Sequence, residues 1–196
     1  MNPDDGRMTV RLIQPDWLRN WLRRPSPAAD DRARLAEVIA LAGANVDHDL
    51  GGPFAAAVYA LDDGRRLSAA VNTTIASHCS AAHAELQALS LAQQAMGTHT
   101  LESRPCVLVS SSAPCTMCLG AIAWSGVQGL VFSTTRADVE VIGFDEGPAT
   151  PRWRHELSRR GIAVRGPLLQ RAGRAVLARY RDLGGVIYNP HAAPGV

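Results

Sequence analysis

The segment from His83 to Cys118 constrains this chain more than any other part of its sequence. It opens with the tripeptide His-Ala-Glu at 83–85 and closes with the pentapeptide Pro-Cys-Thr-Met-Cys at 114–118. Two cysteines three residues apart on a helix project from one face, so both sulfurs can hold one ion. His83 would supply a third ligand from a second element. Three protein ligands leave one position of a tetrahedral zinc ion open, as in a catalytic site.

Glu85 lies two residues beyond His83, close to the expected metal and still able to move protons. We therefore predict His83, Cys115 and Cys118 as zinc ligands and Glu85 as the proton carrier. A Cys-x-x-Cys pair alone would also fit a redox pair or half of a structural zinc site. A structural site needs a fourth ligand, and the nearby candidates are weak. These are His78 and Cys79, whose spacing gives no reason to bind, and Cys106, which lies in an apolar run typical of a buried strand.

Composition describes an ordinary globular protein. At 196 residues, with 46% hydrophobic residues and a net charge of +2, we expect one domain with a substantial core. Four cysteines, two of them assigned to the metal, do not form a disulfide framework, so a reducing cytoplasm is expected. We expect no membrane association, because no apolar stretch is long enough to span a bilayer and charges interrupt any signal-peptide core.

Hydrophobic periodicity predicts alternating helices and strands. A helix from about residue 30 to 45 precedes a hairpin at 54–61 and 67–74, and then a helix at 82–96. The expected remainder is strand 106–110, helix 115–125, strand 127–133, a weak helix 136–142, helix 152–160, strand 162–164 and helix 167–182. This order predicts an α/β fold, a three-layer α/β/α sandwich around a mixed sheet of about five strands.

The chain divides into three predicted parts. These are an N-terminal extension over residues 1–29, a metal-binding domain over 30–183, and a tail over 184–196 that closes over the active site. Pro114 is expected at a first helical position, so His83 and Cys115 both fall at helix N-termini. The partial positive charge of such termini lowers thiol pKa values and favours anions bound to a metal.

Further stretches make the chain resemble bacterial guanine deaminases, within the cytidine deaminase superfamily. The zinc motif is common to the whole superfamily, whereas the Gly-Phe-Asp-Glu loop and the Gly-Val-Ile-Tyr-Asn tail are what point to guanine. One departure is Ala113, where the family usually carries Glu; we expect this to weaken support around the metal but not zinc binding. The matching stretches are 51–54, Asn72, 80–85, 114–118, 120–124, 142–146 and 185–189.

The resemblance implies zinc-dependent hydrolysis of free guanine to xanthine and ammonia, with the triazine ammeline as a further candidate substrate. Glu85 would pass a proton to a ring nitrogen, and Glu146 would assist proton transfer to the departing amine. A homodimer is implied as well. The expected substrate-binding residues are Asn72, which would hydrogen-bond the base, Phe54 and Trp124, which would pack on its faces, and Ala84, Asp145 and Tyr188. Without the resemblance, Phe54 and Trp124 would equally be core residues.

Three alternatives remain open from the sequence. A tRNA adenosine deaminase shares the zinc motif, and the C-terminal third is rich in arginine; a net charge of +2 is nevertheless low for a nucleic-acid partner. A cytosine-type deaminase shares the motif too, although the Gly-Phe-Asp-Glu loop argues against it. A non-catalytic, zinc-stabilised scaffold would have no use for Glu85, which contributes nothing to metal binding.

Overall fold

The computed structural model describes residues 12–48, 51–148 and 150–189. Helices and strands alternate within these ranges much as the sequence predicts. The helices are α1 (Asp16–Leu22), α2 (Asp31–Asp47), α3 (Ala84–Met96), α4 (Thr116–Ser125), α5 (Arg136–Glu140), α6 (Trp153–Arg159) and α7 (Gln170–Asp182). The strands are β1 (Ala55–Ala60), β2 (Arg66–Val71), β3 (Cys106–Ser112), β4 (Gly129–Thr134) and β5 (Ala163–Arg165).

The five strands form one mixed sheet in the order β2-β1-β3-β4-β5. Strand β1 pairs antiparallel with both β2 and β3, whereas β3, β4 and β5 run parallel to one another. A tight hairpin joins β1 to β2, and helices cross over between the parallel strands. The predicted sheet, its mixed character and its strand number are confirmed.

Helices cover both faces of the sheet, because the central strands are apolar on both sides. Side chains alternate along a strand, so Ala56 and Val58 of β1 face one core while Ala57 and Tyr59 face the other. The first core is completed by α3, α4 and α6, and the second by α1 and α2. These two layers of helices give the predicted three-layer sandwich.

Local sequence signals fix where the helices begin and end. The Asp30 carboxylate caps α2 by accepting a hydrogen bond from the Ala33 amide at 2.9 Å. Gly97 and Gly126 end α3 and α4 with φ angles of 64° and 80°, a left-handed conformation that glycine adopts at little cost. One boundary differs from expectation: Cys115 is the N-cap of α4, so Pro114 precedes the helix instead of opening it.

The segment before α2 covers an edge of the sheet. The side-chain amide of Gln14 donates to the Val71 carbonyl at 3.2 Å and accepts from the Val71 amide at 2.8 Å. It thereby satisfies backbone groups of the edge strand β2, and Leu18 of α1 is buried in the core beneath. Within the ranges that the structure describes, none of the helices combines the length and apolar character needed to cross a bilayer.

Candidate metal centre and active site

The predicted metal ligands meet at the N-termini of α3 and α4. His83 and Cys115 are the N-cap residues of these helices, both with extended backbone, and neither side chain caps its own helix. The two side chains point towards each other instead. Nδ1 of His83 lies 3.5 Å from Sγ of Cys115 and 3.7 Å from Sγ of Cys118.

The donor set fits a zinc ion. One ligand atom from each of His83, Cys115 and Cys118 lies within 4.8 Å of the other two. Two thiol sulfurs and one imidazole nitrogen are preferred zinc donors, and three protein ligands leave one coordination position for water or substrate. Among residues 12–48, 51–148 and 150–189, no His78 or Cys79 atom joins this group. Cys106 is buried at the start of β3, where its thiol donates to the Arg104 carbonyl.

The two cysteines have opposite acid–base properties. A hydrogen bond from Cys118 and another from His83 hold the pKa of Cys115 down at about 4, despite burial. Cys115 is therefore a thiolate near neutral pH and is ready to bind a cation. The pKa of Cys118 is raised, because it donates that hydrogen bond and is buried. Metal binding must displace this retained proton.

Glu85 lies in the first turn of α3, directly beside the ligands. Its side chain is buried, and the Ser110 hydroxyl donates to Oε1 at 3.2 Å. Burial raises the pKa of Glu85, and the negative charge of Cys115 raises it further. A raised pKa makes a carboxyl group a stronger base than a free glutamate, which suits it to take up and pass on a proton.

A cavity of about 570 Å³ opens beside the ligands and Glu85. Asn72, at the end of β2, is buried in its wall and accepts a hydrogen bond from the Thr74 amide through Oδ1 at 3.1 Å. Among the described residues no partner is found for Nδ2 of Asn72, which leaves a donor for a ligand. The other predicted residues that line the cavity are Phe54, Asp145, Glu146 and Tyr188.

Aromatic rings form one wall of this cavity. The ring of Phe144 lies at the centre, with the centroids of Phe54 and Tyr188 at 5.2 and 5.0 Å in edge-to-face geometry. Tyr180 stacks on Phe144 from α7 at 6.0 Å. Phe54 and Tyr188 thus offer apolar surface to a flat ligand, and Phe144 joins the loop 143–148 to the tail.

The two acidic residues of the loop 143–148 differ in environment. Asp145 is exposed, and its Oδ1 accepts a hydrogen bond from the Gly147 amide at 2.8 Å. Glu146 is half-buried; burial, followed by the negative charges of Cys115 and Glu85, raises its pKa to about 8. Glu146 therefore carries a proton at neutral pH, whereas Asp145 shapes the turn.

Two predicted substrate-binding residues, Trp124 and Ala84, are not among the residues that line the cavity. Trp124 is 86% exposed and does not line the cavity. It follows Cys118 by six residues, and six steps of a helix place it about a third of a turn, roughly 120°, away from the direction of that ligand. The Ala84 side chain is completely buried in the core beside α4, so it offers no side-chain surface to the cavity.

The sequence analysis missed three serine and threonine side chains at the site. Ser110 donates to Glu85, Thr74 lies within hydrogen-bonding reach of Tyr188, and the hydroxyl of Ser112, which lines the cavity, is buried without a hydrogen-bond partner in the described part of the chain. The sequence does contain a pattern that could have predicted the serines: three of them, at 110–112, end the apolar strand β3. Polar residues at the carboxyl end of a sheet strand are typical of α/β binding sites.

Comparisons with known proteins agree with this geometry. The profile of the cytidine and deoxycytidylate deaminase zinc-binding region matches residues 30–134. A guanine deaminase of Bacillus subtilis (strain 168) is 33% identical over 112 residues, which are 57% of this chain and 69% of that protein. The solved guanine deaminase of Nitrosomonas europaea is 43% identical, with a TM-score of 0.85 over 90% of this chain and 100% of the other. A solved complex with 2,6-diaminopurine is 44% identical, with a TM-score of 0.86 over 92% of this chain and 97% of the other.

Proposed function

Because the chain belongs to the family of zinc-binding cytidine and deoxycytidylate deaminases, we propose that it hydrolyses free guanine to xanthine and ammonia. The family, the fold and the zinc dependence predicted from the sequence are confirmed. One observation carries the proposal. A zinc-type donor set, two protonatable carboxyl groups and an amide donor of a buried residue share one cavity that is large enough for a nucleobase.

His83, Cys115 and Cys118 would hold the zinc ion. When bound, zinc supplies a Lewis acid that brings the pKa of a water molecule near neutrality. Glu85, next to the ligands, would take the proton from that water and deliver it to a ring nitrogen of guanine. Glu146 would give its proton to the departing amine and regain one from the new hydroxyl group, so that a C–O bond forms, the C–N bond breaks, ammonia leaves and the ring carbon becomes the carbonyl of xanthine.

Recognition of the base rests on the cavity walls. Phe54 offers an aromatic surface for one face of the ring, and Nδ2 of Asn72 would donate to an acceptor on its edge. The unpaired hydroxyl of Ser112 would accept or donate one further hydrogen bond, which would offset the cost of burying it. Tyr188 of the tail lines the cavity and approaches Gly52 closely, so a ribose attached to the base would obstruct the docking of the tail over the cavity.

The substrates of the relatives point to a purine base. Two of the relatives are guanine deaminases, and one solved complex holds 2,6-diaminopurine, which carries an amino group on the same ring carbon. A tRNA substrate is less well supported, because several arginines of the C-terminal third form ion pairs within the described part of the chain and so offer less free positive charge to phosphates. These pairs are Arg165 with Asp31, Arg174 with Asp138, Arg179 with Asp47, Arg160 with Glu156 and Arg181 with Asp182.

We also propose a homodimer formed through α4. This helix has no charged residue, and its outer face exposes Met117, Gly120 and Trp124. Beside it runs a groove lined in part by Leu119, Ala123, Trp153 and Leu157. An apolar helix face next to an apolar groove suits a symmetric contact between two copies. The expected cytoplasmic location rests on the four free cysteines.

Release of ammonia tests the proposed function. The zinc-loaded protein would be assayed against guanine, guanosine, ammeline, adenine, cytosine, cytidine and a tRNA anticodon stem. We expect turnover of guanine, little of guanosine and none of the tRNA stem. Ammonia from cytosine or the tRNA stem without any from guanine would refute the substrate assignment and favour one of the other deaminase classes.

A further inference from the structure

The loop 143–148, which carries Glu146, is held by a residue outside the cavity. We propose that Arg136, the first residue of α5, is a positioning residue that fixes the backbone beside Glu146 and so places its carboxyl group for proton transfer. This inference rests on the proposed deamination. Arg136 does not line the 570 Å³ cavity, so it would act through Glu146 and not by touching substrate.

The guanidinium group of Arg136 uses all three nitrogens. Its two terminal nitrogens donate to the carbonyl oxygens of Gly147 and Pro148, the second at 3.4 Å. Nε donates to Oε1 of Glu140 at 2.6 Å, one helical turn further along α5. Because the group is planar and held at one end by Glu140, its other end presents a rigid fork to the two residues that follow Glu146.

The same loop is tied to the metal-binding helix. Thr116, the residue after the ligand Cys115, donates its hydroxyl hydrogen to the Pro148 carbonyl at 2.6 Å, and its amide donates to the Glu146 carbonyl at 3.4 Å. Arg136 and Thr116 therefore both donate hydrogen bonds to the Pro148 carbonyl oxygen. Thr116 adjoins a metal ligand, whereas Arg136 can be changed without touching the metal centre.

The loop needs such support because its glycines allow its backbone a wide range of conformations. Gly143 and Gly147 flank the two acidic residues with φ angles of 107° and 76°, and glycine lacks the side chain that would restrict these torsions. Loss of the fork would let the backbone at Gly147 shift. A displacement of about 1 Å in a reacting group can lower a rate by about 10²-fold.

Steady-state kinetics with guanine test the proposal. In Arg136→Ala, kcat should fall by about 10- to 100-fold, while zinc content by elemental analysis stays at the wild-type level and KM changes less than kcat. Arg181→Ala is the matched control: it removes an arginine whose guanidinium group pairs with Asp182 at the end of α7 instead of with the loop, so kcat should stay close to wild type. If Arg136→Ala does not fold, Arg136→Gln is measured in its place.

A double-mutant cycle separates positioning from a general effect on the fold. If Arg136 acts through Glu146, Arg136→Ala should cost less than about 2-fold in kcat when Glu146 is already Gln, because coupled residues are not additive. An equal loss in both backgrounds would overturn the proposal. So would wild-type kcat in Arg136→Lys, which keeps the charge but lacks the fork.

The outcome for Arg136 is distinct from the outcome for the proposed function. Absence of guanine turnover by the unchanged, zinc-loaded protein counts against guanine deamination itself. Normal turnover by the unchanged protein together with normal kcat in Arg136→Ala counts against Arg136 alone.

Discussion

At the scale of single residues, the ionisable groups of the site set one another's protonation. Burial raises the pKa values of Glu85 and Glu146, and the Cys115 thiolate adds a negative charge that raises both further. The two carboxyl groups therefore hold their protons to a higher pH than free glutamates do, whereas Cys115 is ionised. This suits the two carboxyl groups to donate protons during hydrolysis of an amino group.

The pKa of Glu146, about 8, predicts a pH dependence of activity. Because Glu146 is protonated below this value and would act as an acid, kcat for guanine should fall as the pH rises through 8. In Glu146→Gln, kcat should be lower by about 10²-fold or more, and the residual rate should lose this alkaline limb. Profiles of kcat against pH for both proteins provide the measurement. If kcat fell over the same alkaline pH range in both proteins, the titrating group would be a residue other than Glu146.

The same pKa shift makes a prediction for stability. The folded-state pKa of Glu146 lies above its ordinary value of 4.5, so its contribution to stability is complete below pH 4.5 and is lost as the pH rises through about 8. Gln cannot ionise. Melting temperatures of the zinc-loaded proteins should therefore be similar at pH 5, and Glu146→Gln should melt higher than wild type well above pH 8. If the difference in melting temperature between the two proteins stayed constant from pH 5 to above pH 8, the account would be wrong, because folding would then not raise the pKa of Glu146.

At the scale of secondary-structure elements, features that depend on neighbouring residues could be predicted from the sequence, whereas contacts between residues far apart in the chain could not. The ligands and Glu85 could be assigned because their spacing places them at two helix N-termini, and the ends of α3 were marked by sequence. Trp124 was expected in the cavity but lies outside it, because a sequence motif identifies a residue and does not show which face of its helix packs against the rest of the protein. The fork of Arg136 was missed, since 11 residues separate it from Gly147 and no pattern marks such a contact.

The tail depends on still longer contacts. Asn189 donates through Nδ2 to the Gly143 carbonyl and accepts from the Asp145 amide through Oδ1, both at 2.8 Å, across more than forty positions of sequence. The Tyr180 hydroxyl donates to the Val186 carbonyl at 2.7 Å. These bonds join the tail to the loop that carries Glu146, which supports its predicted function as a lid.

Truncation after Leu183 should therefore raise KM or lower kcat for guanine while zinc stays bound. Asn189→Ala, which removes only the two bonds to the loop, should show part of this effect. Kinetics with guanine and zinc analysis of both variants provide the measurement. Unchanged kinetic constants in the truncated protein would reduce the tail to ordinary surface packing.

At the scale of the whole molecule, the sandwich leaves one apolar helix face without cover. The α4 face at Met117, Gly120 and Trp124 contrasts with the charged outer surface of α7, where three arginines form ion pairs. Since a helix that is apolar on all sides is normally buried, this exposed face predicts the contact between two subunits.

Trp124→Glu should accordingly shift the protein towards the monomer, measured by light scattering after size-exclusion chromatography. The control is Val141→Glu, which introduces the same charge at another exposed apolar position, 77% accessible and outside α4. The control should keep the wild-type mass. A monomeric wild-type protein, or a Trp124→Glu dimer, would place any interface elsewhere.

The most direct measurement of the central claim compares guanine turnover by the zinc-loaded wild-type protein and by zinc-loaded Glu85→Gln. We predict that the wild type releases xanthine and ammonia in equal amounts. Glu85→Gln should keep its zinc and its melting temperature but lose about 10²- to 10⁴-fold in kcat, because only the proton carrier has been removed. Near-wild-type turnover by fully zinc-loaded Glu85→Gln would contradict the account, and so would a wild type that binds zinc and leaves guanine unchanged.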